Sequence, residues 1–274
     1  MSLTTEWVRY GHDGRYKGYA AWPASFVEPQ PSILILQEIW GVDRHIQDVA
    51  RRFASAGYVA FAPDYFSVDG EREEALTEER VEEAKSFLNE LPPAVWRDVD
   101  GRARALASGH YAPEQRERIE ATLGRIFATG ARLGEFAVQT LETAGFLRDT
   151  FEPSCGRKTA AVGFCFGGSL AIALAAQDSA LSGAVTFYGA APQGIQLEAI
   201  QCPVFGIYGE ADRRVTETVP VLEAGLLAAG KSFRYHIYPD AQHAFFNDTR
   251  PTYNAEAARE AYARTLNFLW AALH

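Results

Sequence analysis

Little in this chain could cross-link it, anchor it in a bilayer or draw it to a polyanion. Its 274 residues hold three cysteines, Cys155, Cys165 and Cys202. An odd number at no regular spacing makes neither a disulfide framework nor a zinc-ligand pattern, and points to a reducing, cytoplasmic setting. No stretch approaches the roughly 20 apolar residues that crossing a membrane requires. The N-terminal MSLTTEWVRYGHDGRYKG carries charge where a secretion signal needs an apolar run. Cations are in deficit, 26 Lys and Arg against 35 Asp and Glu, which argues against a nucleic-acid surface, because phosphate binding needs clustered cations. Also missing are a glycine-rich phosphate loop, a dinucleotide fingerprint, a metal-ligand cluster, an internal repeat and a low-complexity linker. The expectation is a soluble protein without cofactor or metal that acts on a small molecule, with nothing in the sequence to specify an oligomeric state.

What is present is an alternation of strand and helix patterns. TEWVRY and YKGYAAW flank the turn-rich GHDGR and read as an opening hairpin. SILILQ (32–37) is a continuous apolar run, suited to a strand covered on both faces. Asp43 then caps a helix whose Ile46, Val49, Ala50 and Phe53 fall at helical spacing, and YVAFAP returns to strand. TAAVGF, GAVTFY, PVFGIY and FRYHIY continue the series, and an amphipathic helix over about 254–271 closes it. The pattern predicts an α/β domain spanning 1–274, with a mostly parallel central sheet flanked by helices. One segment interrupts it. Residues 68–131 show no strand, only helical stripes: Val81, Ala84, Leu88 and Leu91; then, after Pro92-Pro93, Trp96, Val99, Ala103 and Leu106; then Ile119, Leu123, Ile126 and Phe127, with Pro113 placed to start that helix. This reads as an inserted helical subdomain, either a solvated addition or a lid over the sheet edge where ligands bind in such folds.

The chemistry gathers at AVGFCFGGS (161–169). Cys165 follows a strand and precedes the helix SLAIALAAQ, and Gly163, Gly167 and Gly168 are the residues that a strained strand-to-helix turn requires. Such a turn lifts the sulfur above the sheet at the positive end of a helix, where a thiolate is favoured. Downstream, YGEAD (208–212) and YPDAQHAF (238–245) each follow a strand, in the order nucleophile, acid, histidine. His243 is the candidate base; Asp212, Glu210 and Asp240 compete for the carboxylate that orients it.

These residues resemble the dienelactone hydrolase family of the α/β-hydrolase fold. The matching stretches are QEIWG (37–41), APDYF (62–66), GFCFGG (163–168), GEAD (209–212) and HAFFND with the closing TLNFLW helix. The resemblance implies Cys165 as nucleophile, His243 as general base and then acid, and Asp212 as the orienting carboxylate. It further implies that Glu38 lies beside the cysteine, helps to form the thiolate and moves aside for substrate. The backbone N–H groups of Ile39 and Phe166 are the implied oxyanion hole. Trp40, Asn247 and Arg250 are candidate substrate contacts. Where family members carry an arginine four residues past the histidine, this chain has Asn247; Arg80 or Arg250 would have to hold a substrate carboxylate instead.

A cysteine at this position selects its substrates. A thiolate is a better leaving group than an alkoxide, since a thiol ionises near pH 8.5 and an alcohol far higher. A simple alkyl ester would expel Cys165 again, whereas an enol ester, lactone or thioester carries a competitive leaving group. The expected function is therefore cysteine-dependent hydrolysis of activated esters or lactones through a thioester intermediate. The alternatives are a carboxylesterase or thioesterase for a bulkier substrate, and a catalytically idle scaffold that binds or senses redox state through its cysteine. Cys202 reads as packed and Cys155 as a bystander.

Overall fold

The computed structural model describes residues 2–92, 95–96 and 98–274. The hairpin forms as β1 (Leu3–Tyr10) and β2 (Tyr16–Pro23), paired from Leu3 opposite Pro23 to Tyr10 opposite Tyr16. β3 (Ser32–Leu36) leads to α1 (Arg44–Ser55), where the Asp43 carboxylate accepts from the Ile46 amide at 3.0 Å, and β4 (Val59–Pro63) follows. Two short strands, β5 (Ser67–Val68) and β6 (Glu71–Arg72), pair with each other. The expectation of no strand within 68–131 did not allow for them: two residues are too few to show alternation. The signal lay in the turn, where Asp69 and Gly70 both take left-handed φ, 50° and 78°.

Helices α2 (Glu78–Asn89), α3 (Val99–Ser108) and α4 (Pro113–Ala128) come next, then α5 (Leu133–Asp149). β7 (Thr159–Phe164), α6 (Phe166–Gln177), β8 (Gly183–Phe187), β9 (Val204–Gly209), α7 (Arg213–Thr216), α8 (Val219–Ala228), β10 (Phe233–Tyr238) and α9 (Ala255–Leu273) complete the chain. No described helix is long and apolar enough to cross a membrane.

Eight strands form one sheet in the order β1-β2-β4-β3-β7-β8-β9-β10, antiparallel at β1-β2 and β2-β4 and parallel from β4 onward. This is the arrangement of the α/β-hydrolase fold. β3, β4, β7, β8 and β9 are buried along their whole length, as strands covered by helices on both faces must be, while the edge strands β1 and β10 are partly exposed. One face packs on α1 and α9 through Ile46, Phe53, Phe268 and Leu269. The other packs on α5, α6 and α8 through Phe136, Leu147, Leu170 and Leu226.

The helices α2 and α4 build a third apolar cluster of their own, in which Val81, Leu88, Ile119 and Leu123 close on Trp40 and Phe66 from the body of the domain. The stripes expected for α2 and α4 match their buried faces. The stripe expected for the middle helix does not hold: Trp96 precedes α3, Val99 and Ala103 are exposed, and only Leu106 is buried. Pro93, half of the break placed before that helix, lies outside the described residues. The helix is short, and its first turn fronts a cavity rather than a core, which removes the packing that a continuous stripe would serve.

A buried ion pair ties this helical segment to the body. Lys85 of α2 reaches the Asp43 carboxylate at 2.6 Å, and both side chains are 2% exposed. Asp43 thus caps α1 with one oxygen and holds α2 with the other. Removing one partner leaves a buried charge alone, which costs about 3–5 kcal/mol. Lys85→Met should lower the unfolding free energy in urea by about that amount. Adding Asp43→Ser, which keeps a capping oxygen, should recover most of the loss; no recovery would mean that the pair is not what couples the two parts.

Candidate active site

Of the candidate site residues, all but Asn247, Arg80 and the rival carboxylates Glu210 and Asp240 line one cavity at the C-terminal edge of the parallel sheet. The bend at Cys165 is the most constrained point there. Its φ of 54° and ψ of −113° are a strained combination for a residue with a side chain. Two glycines permit it. A Cβ on Gly163 would stand 1.9 Å from the Gly167 carbonyl oxygen, and one on Gly167 would stand 2.1 Å from that of Leu36. Backbone therefore touches backbone where β7, α6 and β3 meet, and the sulfur is raised to the start of α6. Nothing precedes the Phe166 amide within the helix, so its N–H has no carbonyl a turn earlier to bond.

The other members arrive from neighbouring strands. Asp212 follows β9 and His243 follows β10. His243 Nε2 lies 3.1 Å from Cys165 Sγ, and its Nδ1 lies 2.5 Å from Asp212 Oδ2. Of the three carboxylates open in the sequence, Asp212 is the one that meets the histidine. Glu210 instead accepts from the Asp240 amide at 3.3 Å on the exposed surface. Burial opposes charge on His243, but the Cys165 sulfur and the Asp212 carboxylate outweigh it and push the imidazole up to about 10. The other two thiols are differently placed. Cys202 is buried, which raises it to about 11, and exposed Cys155 hydrogen-bonds the Asp149 carbonyl.

Glu38 lines the same cavity as Cys165 but takes its hydrogen bonds elsewhere. It is buried, and its hydrogen bonds come from the Tyr188 hydroxyl at 3.0 Å and the Asn247 amide at 2.8 Å, not from the thiol. The group in bonding reach of Cys165 is His243. Asn247 is accordingly misplaced as a substrate contact: it is fully buried behind Glu38, with its own oxygen taken by Thr249. Arg80 is displaced too, since it pairs with Glu74, just before α2, and does not line the cavity.

A cavity of about 850 Å³ opens at the sulfur, and Cys165, His243, Glu38, Ile39, Trp40 and Arg250 are among its lining. Arg250 is 5% exposed, with its guanidinium 5.1 Å from the Trp40 ring centroid and 4.1 Å from that of Trp96. Burial lowers it to about 10, against the opposing pull of Glu38 and Cys165. Its Nη1 is buried with no hydrogen-bond partner among the described residues. Among those residues no group of three or more His, Cys, Asp and Glu could hold a metal ion.

Two participants escaped sequence reading. Tyr188 holds Glu38 and sets its ring 5.1 Å from the His243 ring, at a left-handed φ of 42°. Its position one residue past β8, at the same edge as Cys165, was the available signal. Burial, then Glu38, holds its hydroxyl well above the usual phenol range, so it remains a donor. Trp96 comes from the helical segment and had no local motif.

Comparison with known proteins meets this geometry. The profile of the dienelactone hydrolase family matches residues 16–273. A protein of Saccharolobus solfataricus, provisionally described as a carboxymethylenebutenolidase, is 29% identical over 96% of each chain. One of Methylorubrum extorquens with the same description is 31% identical over 92% of this chain and 75% of its own. Among solved structures, a dienelactone hydrolase-like promiscuous phosphotriesterase from metagenomic libraries aligns over the full length of both chains with a TM-score of 0.67 at 21% identity. A Klebsiella pneumoniae protein provisionally described as a dienelactone hydrolase covers 97% of this chain and 98% of its own, with a TM-score of 0.64 at 24% identity. With the sheet order, the strand-end loops and a profile match over nearly the whole chain in agreement, the protein is a hydrolase that belongs to the dienelactone hydrolase family.

Proposed function

We propose that this protein hydrolyses activated esters or lactones through a Cys165 thioester. The unbroken run of contacts from Cys165 Sγ through His243 to Asp212 supports this reading above all else. His243 takes the proton of the Cys165 thiol, which leaves an imidazolium beside a thiolate. Asp212 fixes the ring and stabilises its charge, the role of the carboxylate in such triads.

The thiolate attacks the substrate carbonyl, a C–S bond forms, and the carbonyl electron pair moves to oxygen. The amides of Ile39 and Phe166 stabilise that oxyanion as fixed donors, without the reorganisation that water would need. Collapse breaks the C–O bond, and the departing oxygen takes the proton from His243. Neutral His243 then accepts a proton from water as the water attacks the thioester. The second oxyanion expels the thiolate, the acid leaves, and the imidazolium is restored. Glu38 is held off the sulfur by Tyr188 and Asn247, the position in which it does not compete with His243. The segment 68–131 acts as a cover, since Trp96, Val99 and Phe127 stand over the sulfur's cavity.

Arg250 completes the site as an anion anchor. A buried guanidinium stacked on two indoles, with an N–H unused among the described residues, has given up hydration without a hydrogen-bonded charge partner there. A substrate carboxylate supplies one, and charge-assisted hydrogen bonds of this kind contribute about 1.5–3 kcal/mol.

Three outcomes follow. Cys165→Ala should abolish turnover of an enol lactone and of an activated aryl ester, and turnover at the wild-type rate would refute the nucleophile. Iodoacetamide should label Cys165 near neutral pH much faster than Cys155 or Cys202, and His243→Gln should remove that advantage; labelling of Cys165 at the wild-type rate in the variant would refute the histidine as its base. Arg250→Met should raise KM about 10- to 100-fold for an ester bearing a free carboxylate, and much less for its neutral counterpart; equal effects on both would remove the anchor role.

A further inference from the structure

The cavity beside Cys165 is larger than the reaction requires. Its roughly 850 Å³ lies in the upper part of the about 300–1,000 Å³ range that encloses drug-sized ligands. A single lactone ring would leave most of it to water. The spare room is bounded by the helical segment, where Trp96, Val99, Ile126 and Phe127 form an apolar wall. Val99 keeps 67% of its surface uncovered. An apolar side chain left bare at a cavity wall contributes only when a ligand covers it.

That wall is braced rather than collapsed. Arg102 of α3 lays its guanidinium 4.9 Å from the Phe127 ring centroid and donates to the Trp96 carbonyl at 2.5 Å. The Trp96 ring in turn meets Trp40 edge-on at 6.3 Å. Phe166 and Tyr188 add rings from the sheet edge. Aromatic side chains on several sides favour a flat, ring-bearing ligand through offset and edge-to-face contacts.

We infer that the wall formed by α3 and α4 is a subsite for a large, flat aromatic acyl group, at least two fused rings in size. The inference rests on the thioester reading, because the acyl part is what stays on Cys165 through both half-reactions. A wall that grips it acts on acylation and on water attack alike, whereas a wall gripping the leaving group would act only once. Val99 is then a specificity residue and Arg102 a positioning residue that keeps Trp96 and Phe127 in place.

The test keeps the leaving group constant. The 4-nitrophenyl esters of acetic acid and of 2-naphthoic acid are compared, each corrected for its hydroxide-catalysed rate. The wild type should favour the naphthoate at least about tenfold in kcat/KM, mostly through KM, the scale on which apolar pockets discriminate. Val99→Asp adds charge to the wall and Val99→Trp fills it; each should cut the naphthoate-to-acetate ratio about fivefold or more. Circular dichroism and thermal unfolding establish that both variants fold. Equal efficiency on the two esters in the wild type, or an unchanged ratio in both variants, overturns the subsite while leaving the cysteine reading intact. Turnover of either ester by Cys165→Ala strikes the cysteine reading itself and not the discrimination by the wall.

Discussion

One close approach of backbone to backbone underlies the site. Where β7 turns into α6, Gly163 and Gly167 leave no room for a Cβ against each other or against the end of β3. That contact forces Cys165 into a left-handed conformation and raises its sulfur at the first turn of a buried helix. It also presses the start of α6 against the carbonyls of Leu36 and Gln37, which places the loop carrying Glu38, Ile39 and Trp40 beside the sulfur. Without those two glycines the residues would all still be encoded, but no common point would gather them. The strain at one residue is sustained because the five central strands around it are wholly buried.

Around that point, charge is distributed by a simple rule: nearly every buried ionisable group has a partner. Asp212 meets His243, Glu38 is held by Tyr188 and Asn247, Asp43 meets Lys85, and Asp64 takes a two-pronged contact from Arg72. Arg250 departs from the rule: two indoles cover its faces, and one of its nitrogens is left over. A desolvated cation held in this way is costly unless something completes it. Its place in the cavity lining is why a ligand anion is the partner proposed for it. The indoles also link it to the helical segment, because Trp96 stacks on Arg250 while Trp40 belongs to the loop after β3.

The sheet, its order of elements and the loops that carry Cys165, Asp212 and His243 could be read from sequence because each rests on a local pattern. Buried strands are continuous apolar runs, and a strand-to-helix bend needs glycine. What could not be read depended on distant partners. Asn247 occupies a position where an arginine was expected, and only the fold shows it turned inward to hold Glu38. Tyr188 carries no motif, because its function lies in a backbone conformation and a contact 150 residues away. The α3 stripe misled because helical spacing records apolar residues, not what they face; Val99 faces a cavity. The two-residue strands β5 and β6 are set by the Asp69-Gly70 turn between them, which a search for alternation does not register.

On the proposed mechanism, the thiol and the cavity beside it are two answers to one difficulty. A thiolate attacks readily but leaves readily, so acylation advances only when the substrate's own leaving group competes. Gripping the acyl portion does not alter that competition at the reacting carbon. It does lengthen the time for which a carbonyl stays within reach of the sulfur, and it orders the thioester for attack by water. A serine in the same bend would gain less from such a grip, because its alkoxide is the poorer leaving group and its attack is committed sooner. On the proposed reading, the braced wall and the sulfur belong to one design: the nucleophile restricts which bonds can be broken, and the wall restricts whose bonds they are.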